Sequence, residues 1–290
     1  MSETVMNKSA VPTQVGVLGG GRMGSGIAHA FLLAGAKVTV VERDKESASN
    51  ALERIMKSVD ASISRGFDGD ATEIKTRISV KTDIASFRGH GLVVEAVPEQ
   101  LELKVQALTQ VVKQLSQDAV IATNTSSISI SKLAENLERP ERLIGLHFFN
   151  PVPASSLIEV VVGKDTSPEL ADLARSWVEA LGKTPITVTD APGFASSRLG
   201  VALALEAMRM VEEGVASASD IDAAMELGYR HPVGPLRTTD IVGLDVRLGI
   251  AEELERDLGP RFAPPKLLRE MVAAGKLGRK SGSGFYNWTD

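Results

Sequence analysis

His147 is the residue of this sequence whose type and setting best suit proton transfer. It stands in LIGLHFFNP, at the carboxyl end of an apolar run that reads as a strand. Phe148 and Phe149 follow it and could exclude water, and Asn150–Pro151 turn the chain. Twelve residues on, Glu159 begins the next apolar run, where a charged group needs a partner. A histidine oriented by a carboxylate makes a general base for an alcohol proton. The same spacing suits a hydrogen-bonded strand histidine and a strand-end surface charge, and both readings stand at this point. The run TNTSS, with Ser126 in it, follows another strand and offers hydroxyls and an amide; taken alone, it reads more simply as the cap of a helix through SISKLAENL. Glu99 and Lys104, in LVVEAVPEQLELK, read equally well as helix-surface charges, and His231, in GYRHPVGP, as a turn residue.

A further stretch binds rather than reacts. VGVLGGGRMGSG, residues 15–26, holds six glycines in twelve positions directly after an apolar run. Gly19, Gly21 and Gly24 stand in the order G-x-G-x-x-G, between a strand and a helix whose Ile27, Phe31 and Ala34 share one face. In that order the glycines serve a tight turn, close backbone approach to a pyrophosphate and close helix–strand packing. The helix start then offers amides and a favourable dipole to the phosphates. Gly19, Gly20, Gly21, Arg22, Met23 and Gly24 are therefore the expected phosphate cradle of a dinucleotide. Glu42 closes the next strand eighteen residues after Gly24, where a carboxylate accepts hydrogen bonds from the adenosine ribose. Arg43 could meet a 2′-phosphate, but Glu42 would repel one, so NAD is expected over NADP.

These residues need a scaffold that brings strand ends together. Further strands are expected at Ile78–Val80, Leu92–Val97, Ala119–Thr123, Leu143–Phe148 and Glu159–Val162, with helical patterns between them. Alternating elements with near-continuous apolar strands predict an α/β fold built on a Rossmann-like, doubly wound parallel sheet. Residues 44–76 read as a helical insertion carrying Lys57 and Arg65. After KTPITVTDAPGF every segment reads as helix, with Ser219 to Gly228 one of them. The expected division is a loose leader at 1–12, a dinucleotide-binding domain at 13–189 and an all-helical domain at 190–290. The richly apolar helix from Arg198 to Val211 suits burial in a core or against another subunit.

Composition narrows the class. The 290 residues are 43% hydrophobic with a net charge of −5, which argues for a folded globular protein and against nucleic acid as a partner. There is no cysteine, which removes disulfides and thiol chemistry, and the four histidines are too scattered for a local metal motif. No apolar run reaches transmembrane length and the leader has no signal-peptide core, so a cytoplasmic protein without a membrane partner is expected.

At the level of whole motifs, the chain resembles the L-3-hydroxyacyl-CoA dehydrogenases over roughly residues 13–288. The resemblance rests on GVLGGGRMGSGIA, LVVEAVPEQLELK, ATNTSSISI, GLHFFNPVP, the DAPGF break, GYRHPVGPL with IVGLD, and GKLGRKSGSGFYNW. It implies NAD-dependent oxidation of an (S)-3-hydroxyacyl-CoA, with His147 as base and Glu159 as its electrostatic partner. Ser126 would contact substrate and nicotinamide, and Asn150 would hold the cofactor side of the site. Glu42, Glu99, Lys104 and Lys280 match cofactor-contacting positions, and Ser58 a CoA-contacting one. Arg65 stands where the family often has lysine. Ser197, in GFASSRL, replaces a substrate-contacting asparagine with a shorter hydrogen-bonding group. The helical domain implies a homodimer. Relatives acting on free hydroxy acids such as gulonate or carnitine tend to carry HPFNP where this chain has HFFNP. A non-catalytic NAD-binding sensor is the alternative of another class.

Overall fold

The computed structural model describes residues 11–288 and divides into two compact units at Asp190 and Ala191. Most of the leader expected at 1–12 lies outside the described residues. The first unit is built on eight strands: β1 Gln14–Leu18, β2 Lys37–Val41, β3 Ile78–Lys81, β4 Leu92–Glu95, β5 Val120–Thr123, β6 Leu143–Phe148, β7 Leu157–Val162 and β8 Thr184–Thr189. They form one sheet in the order β3-β2-β1-β4-β5-β6-β7-β8. The chain winds outward from β1 to β3, then returns to β4 and winds the other way. That reversal opens a crevice beyond the carboxyl ends of β1 and β4, the usual ligand position in such sheets.

Central strands are apolar because both faces are covered. Every residue of β4, β5 and β6 is buried. The helix Arg22–Leu33 lays Ile27, Ala28, Phe31 and Leu32 into the core with Val15, Val17, Val38 and Val40. The residues after β2 form two helices, Lys45–Ser64 and Ala71–Thr76. Asp44 starts the first by accepting from the Ser47 amide at 2.7 Å. Only Ala51, Ile55 and Val59 of that helix are buried, one stripe at helical spacing, so its charged faces stay in solvent.

The sheet departs from the all-parallel expectation at one place. β6 and β7 are antiparallel, and β8 then pairs parallel with β7. The reason is length: eight residues, 149–156, separate the two strands, too few for the crossover that parallel neighbours need.

The second unit is helical, with Ser196–Glu212, Ala218–Ala223, Pro235–Val242, Leu244–Leu258 and Lys266–Ala273 as its α-helices. Ser217 rather than Ser219 caps the second of these, and a π-helical turn, Ala224–Gly228, follows it. Val201, Leu205, Met208, Leu236, Leu254 and Phe262 form its core. Buried Asp240 accepts from the amides of Phe285 and Tyr286 and from Trp288 Nε1, which pins the GSGFYNW ending to the helices. Leu199, Ile241, Val242 and Val246 stay exposed, Leu199 at 71%. Among the described residues no helix is long and apolar enough to cross a membrane.

Candidate active site

A cleft of about 1270 Å³ runs along the carboxyl ends of β1, β2, β4, β5 and β6. Its floor at β1 is the glycine loop. Gly19 has φ +90°, a conformation other residues rarely hold, and a Cβ there would lie 2.8 Å from the Ala96 carbonyl oxygen. A Cβ at Gly24 would collide with the Gly19 carbonyl oxygen, so the helix can start against the strand only with glycine there. Gly21 differs: a Cβ would meet nothing within 4 Å. Its missing side chain therefore leaves room for something outside the protein. Gly21 also begins the helix Arg22–Leu33 without a side-chain cap and with no acid in the first turn, so the amides there are available to an anion. Arg22 and Met23 line the cleft beside it. This cradle fits the pyrophosphate of a dinucleotide.

Glu42 takes a position that spacing alone does not show. Its Oε1 accepts from the Gly20 amide at 2.7 Å, tying the end of β2 to the loop. The Arg43 guanidinium bonds Asp44 at 3.0 Å in an exposed pair, which holds it only weakly, so the choice of cofactor rests on the Glu42 carboxylate. NADH is accordingly expected to exceed NADPH by at least tenfold in kcat/KM, and Glu42→Ala to narrow the gap. Equal turnover of the two cofactors by the unaltered protein would show that Arg43 governs the choice.

The second wall hangs on a buried carboxylate. Glu95 closes β4 fully enclosed, and accepts from Lys104 Nζ at 2.8 Å, the Val97 amide at 2.7 Å and Thr123 Oγ at 2.6 Å. Lys104, 1% exposed, also reaches Glu99 at 3.2 Å. It is no surface charge, and it lies behind Glu99 rather than on the cleft wall. Glu99 in turn accepts from Thr125 Oγ at 2.6 Å and from the amides of Ser126 and Ser127 at 2.8 and 3.1 Å. Burial alone would push the Glu99 carboxyl up, but the Lys104 ammonium and the bonds from Thr125 and Ser126 outweigh it and hold the group below the usual carboxylate range. TNTSS is thus a shaped loop and not a helix cap. The cap of the helix Ile130–Ala134 is Ser129, which accepts from the Lys132 amide. Ser126 is left facing the cleft.

The third wall carries His147. β6 and β7 pair His147 directly opposite Glu159, so the two side chains share one face. His147 Nδ1 and Glu159 Oε2 are 2.6 Å apart, with the carboxylate fully buried and the ring 7% exposed. A carboxylate can only accept, so Nδ1 holds a proton, and in the neutral ring the lone pair is then on Nε2. The Phe149 ring lies 4.5 Å from the imidazole, and Asn150 lines the cleft beyond it. Asn124 Oδ1 accepts from the Phe148 amide at 2.9 Å, tying the end of β5 to β6. The surface-charge reading of Glu159 does not hold.

The remaining expected residues stand elsewhere. Ser58 and Arg65 lie farther along the insertion helix, where Ser58 Oγ donates to the Arg54 carbonyl and Arg65 is exposed at the helix end. In the second unit, Ser197 is half-buried in the first turn of Ser196–Glu212, and Lys280 pairs with Asp245 at 2.6 Å. Two residues of the site escape the sequence reasoning. Glu95 carries a signal, a charge ending an apolar strand with a lysine nine positions on. Arg54 carries none, yet its Nη2 donates to the Gly20 carbonyl at 2.8 Å and braces the loop from the insertion helix.

Residues 14–191 match the family model of the 3-hydroxyacyl-CoA dehydrogenase NAD-binding domain, and residues 193–288 that of the C-terminal domain of the same enzymes. The chain is 42% identical over 275 residues to a probable 3-hydroxybutyryl-CoA dehydrogenase of Deinococcus radiodurans, covering 94% of this chain and 99% of that one. The mitochondrial hydroxyacyl-coenzyme A dehydrogenase of Sus scrofa is 36% identical over 292 residues, covering 97% and 93%. Among solved structures, (S)-3-hydroxybutyryl-CoA dehydrogenase from Ralstonia eutropha superposes with a TM-score of 0.93 at 38% identity, covering 97% of this chain and all of that one.

Proposed function

Since the chain belongs to the 3-hydroxyacyl-CoA dehydrogenase family, we propose that His147 moves the proton of that family's reaction, with Glu159 as its partner. The protein is an NAD-dependent oxidoreductase that interconverts an (S)-3-hydroxyacyl-CoA and the 3-oxoacyl-CoA. Bound NAD supplies the hydride acceptor for oxidation, and its reduced form the donor for the reverse. The chain's own residues bind, orient and handle the proton. Nε2 of His147 takes the hydroxyl proton, and Glu159 stabilises the imidazolium that results, because the Nδ1–H already points at its carboxylate. Ser126, fixed by Glu99, and Ser197 position the hydroxyl or thioester oxygen. Asn150, Glu42 and the glycine loop hold the cofactor side, Lys104 acts through Glu99, and Lys280 completes that set from the second unit. Ser58 and Arg65 meet the CoA portion, which suits the solvent-facing basic groups of the insertion.

The observation that carries this reading is the 2.6 Å His147–Glu159 contact, buried at the strand edge where the glycine loop also opens. NADH-dependent reduction of acetoacetyl-CoA, followed at the nicotinamide absorbance, tests it. Turnover of the CoA ester and none of free acetoacetate is expected. Turnover of the free acid alone would assign a free-acid dehydrogenase, and none of either would leave a cofactor-binding protein without catalysis. A homodimer through the helical unit is part of the same proposal. Leu199, Ile241, Val242 and Val246 support it, since so many exposed apolar side chains on one unit suit an association surface.

A further inference from the structure

The insertion helix Lys45–Ser64 lies against the glycine loop at Gly20. A Cβ there would stand 2.5 Å from the Cβ of buried Ala51, so the helix can come this close only to a glycine. Side chains then hold the Gly20 backbone at both its amide and its carbonyl. The amide donates to Glu42 Oε1 at 2.7 Å, and the carbonyl accepts from Ser25 Oγ at 2.7 Å and from Arg54 Nη2 at 2.8 Å. Those two donors fill the two lone pairs of the carbonyl oxygen. Arg54 Nε is 3.5 Å from Ser25 Oγ, at the limit of a hydrogen bond. One firm bond to the loop thus fixes where the guanidinium stands and leaves most of its N–H groups unspent.

Arg54 shares a helix face with Ser47 and Asn50, at spacings of four and seven, and all three line the cleft with Gly19, Gly21 and Arg22. Among the described residues its guanidinium bonds neutral oxygens alone and pairs with no acid. Glu42 lines the same cleft but turns its two oxygens to the amides of Gly20 and Arg43, at 2.7 and 3.1 Å. A cation anchored on a ligand cleft without a counter-charge suits an anion, and the planar fork of arginine suits a phosphate. We propose that Arg54 is a phosphate-binding residue, giving its unspent N–H groups to a diphosphate oxygen of the nucleotide in the cleft. This rests on the dehydrogenase reading, which supplies two such diphosphates, one in NAD and one in coenzyme A. The bond to Gly20 favours NAD, because the cradle for its pyrophosphate begins at the next residue, Gly21. Ser58, the coenzyme A contact of that reading, is one turn further along the helix, so the test separates the two sources.

NADH affinity is measured by nicotinamide fluorescence titration, which needs no turnover. Arg54→Met is expected to raise the Kd by about 10-fold or more at about 50 mM KCl, the worth of a charge-assisted bond. At about 0.5 M KCl the rise should shrink to about threefold or less, because salt screens an exposed ion pair. Arg54→Lys, which keeps the charge without the fork, should recover part of the affinity. Arg54→Gln replaces the methionine variant if that does not fold. A loss of the same size at both salt concentrations would confine Arg54 to bracing the loop and overturn the proposal. The second source is tested with acetoacetyl-CoA and acetoacetyl-pantetheine, which lacks the nucleotide. A salt-dependent rise in KM for the CoA ester alone, with the NADH Kd unchanged, assigns the contact to coenzyme A. Changes within about twofold for both nucleotides sink the assignment altogether. Tight NADH binding without turnover of acetoacetyl-CoA counts against the dehydrogenase reading instead, and the fluorescence titration still decides the role of Arg54.

Discussion

His147→Gln is expected to lower kcat by roughly 10²–10⁴, the usual worth of a positioned acid–base group. Glutamine keeps much of the volume and can still donate to Glu159, so β6 and β7 should pair as before. What it lacks is a basic atom where Nε2 stands. NADH affinity, measured by quenching or enhancement of nicotinamide fluorescence, should change by less than about threefold, because the glycine loop and Glu42 lie on other strands. That split separates a chemical role from a structural one. A variant keeping more than half the activity would remove His147 from the mechanism.

Lys104→Met is expected to cost about 3–5 kcal/mol of stability, since it strands the fully buried Glu95 carboxylate. Urea denaturation should show a lower midpoint with an unchanged slope. The loss should not be confined to folding. Glu99 loses the ammonium that holds it ionised, and with it the anchor of the Ser126 loop, so the KM for acetoacetyl-CoA should rise as well. Adding Glu95→Gln should recover much of the stability, because the neutral amide's oxygen can accept from the Val97 amide while its nitrogen donates to the Thr123 hydroxyl. A single variant within 1 kcal/mol of the unaltered protein would mean that water reaches Glu95 and the pair is not an anchor.

Much of the fold and part of the site could be read before any coordinates, and physics explains the division. The glycine loop is local: turn, helix start and following acid lie within one stretch of chain, so spacing alone suffices. The strands were legible because buried parallel strands are apolar throughout. The antiparallel step at β7 depends on the length of a connection, which an expectation of regular alternation overlooks. The roles of Glu95 and Lys104 depend on two elements meeting in space. From sequence a lysine on an amphipathic helix is an exposed charge by default, and only its distance from Glu95 overturns that. From sequence Glu42 reads only as an acceptor for the ribose, and its bond to the Gly20 amide needs the loop's fold to be visible.

The pairing of His147 with Glu159 across β6 and β7 also governs which insertions the chain can accept. Side chains alternate faces along a strand, so one extra residue between Leu157 and Glu159 in β7 would carry Glu159 to the opposite side of the sheet and abolish the pair. An extra residue at Pro153–Ser155 leaves both strands in step, because the ladder and not the loop sets which residues face each other. The loop can therefore drift in length and sequence while the acid–base pair stays fixed. Variation around this site is thus channelled into the segment after Asn150, where the protein can change what it holds without changing how it moves a proton.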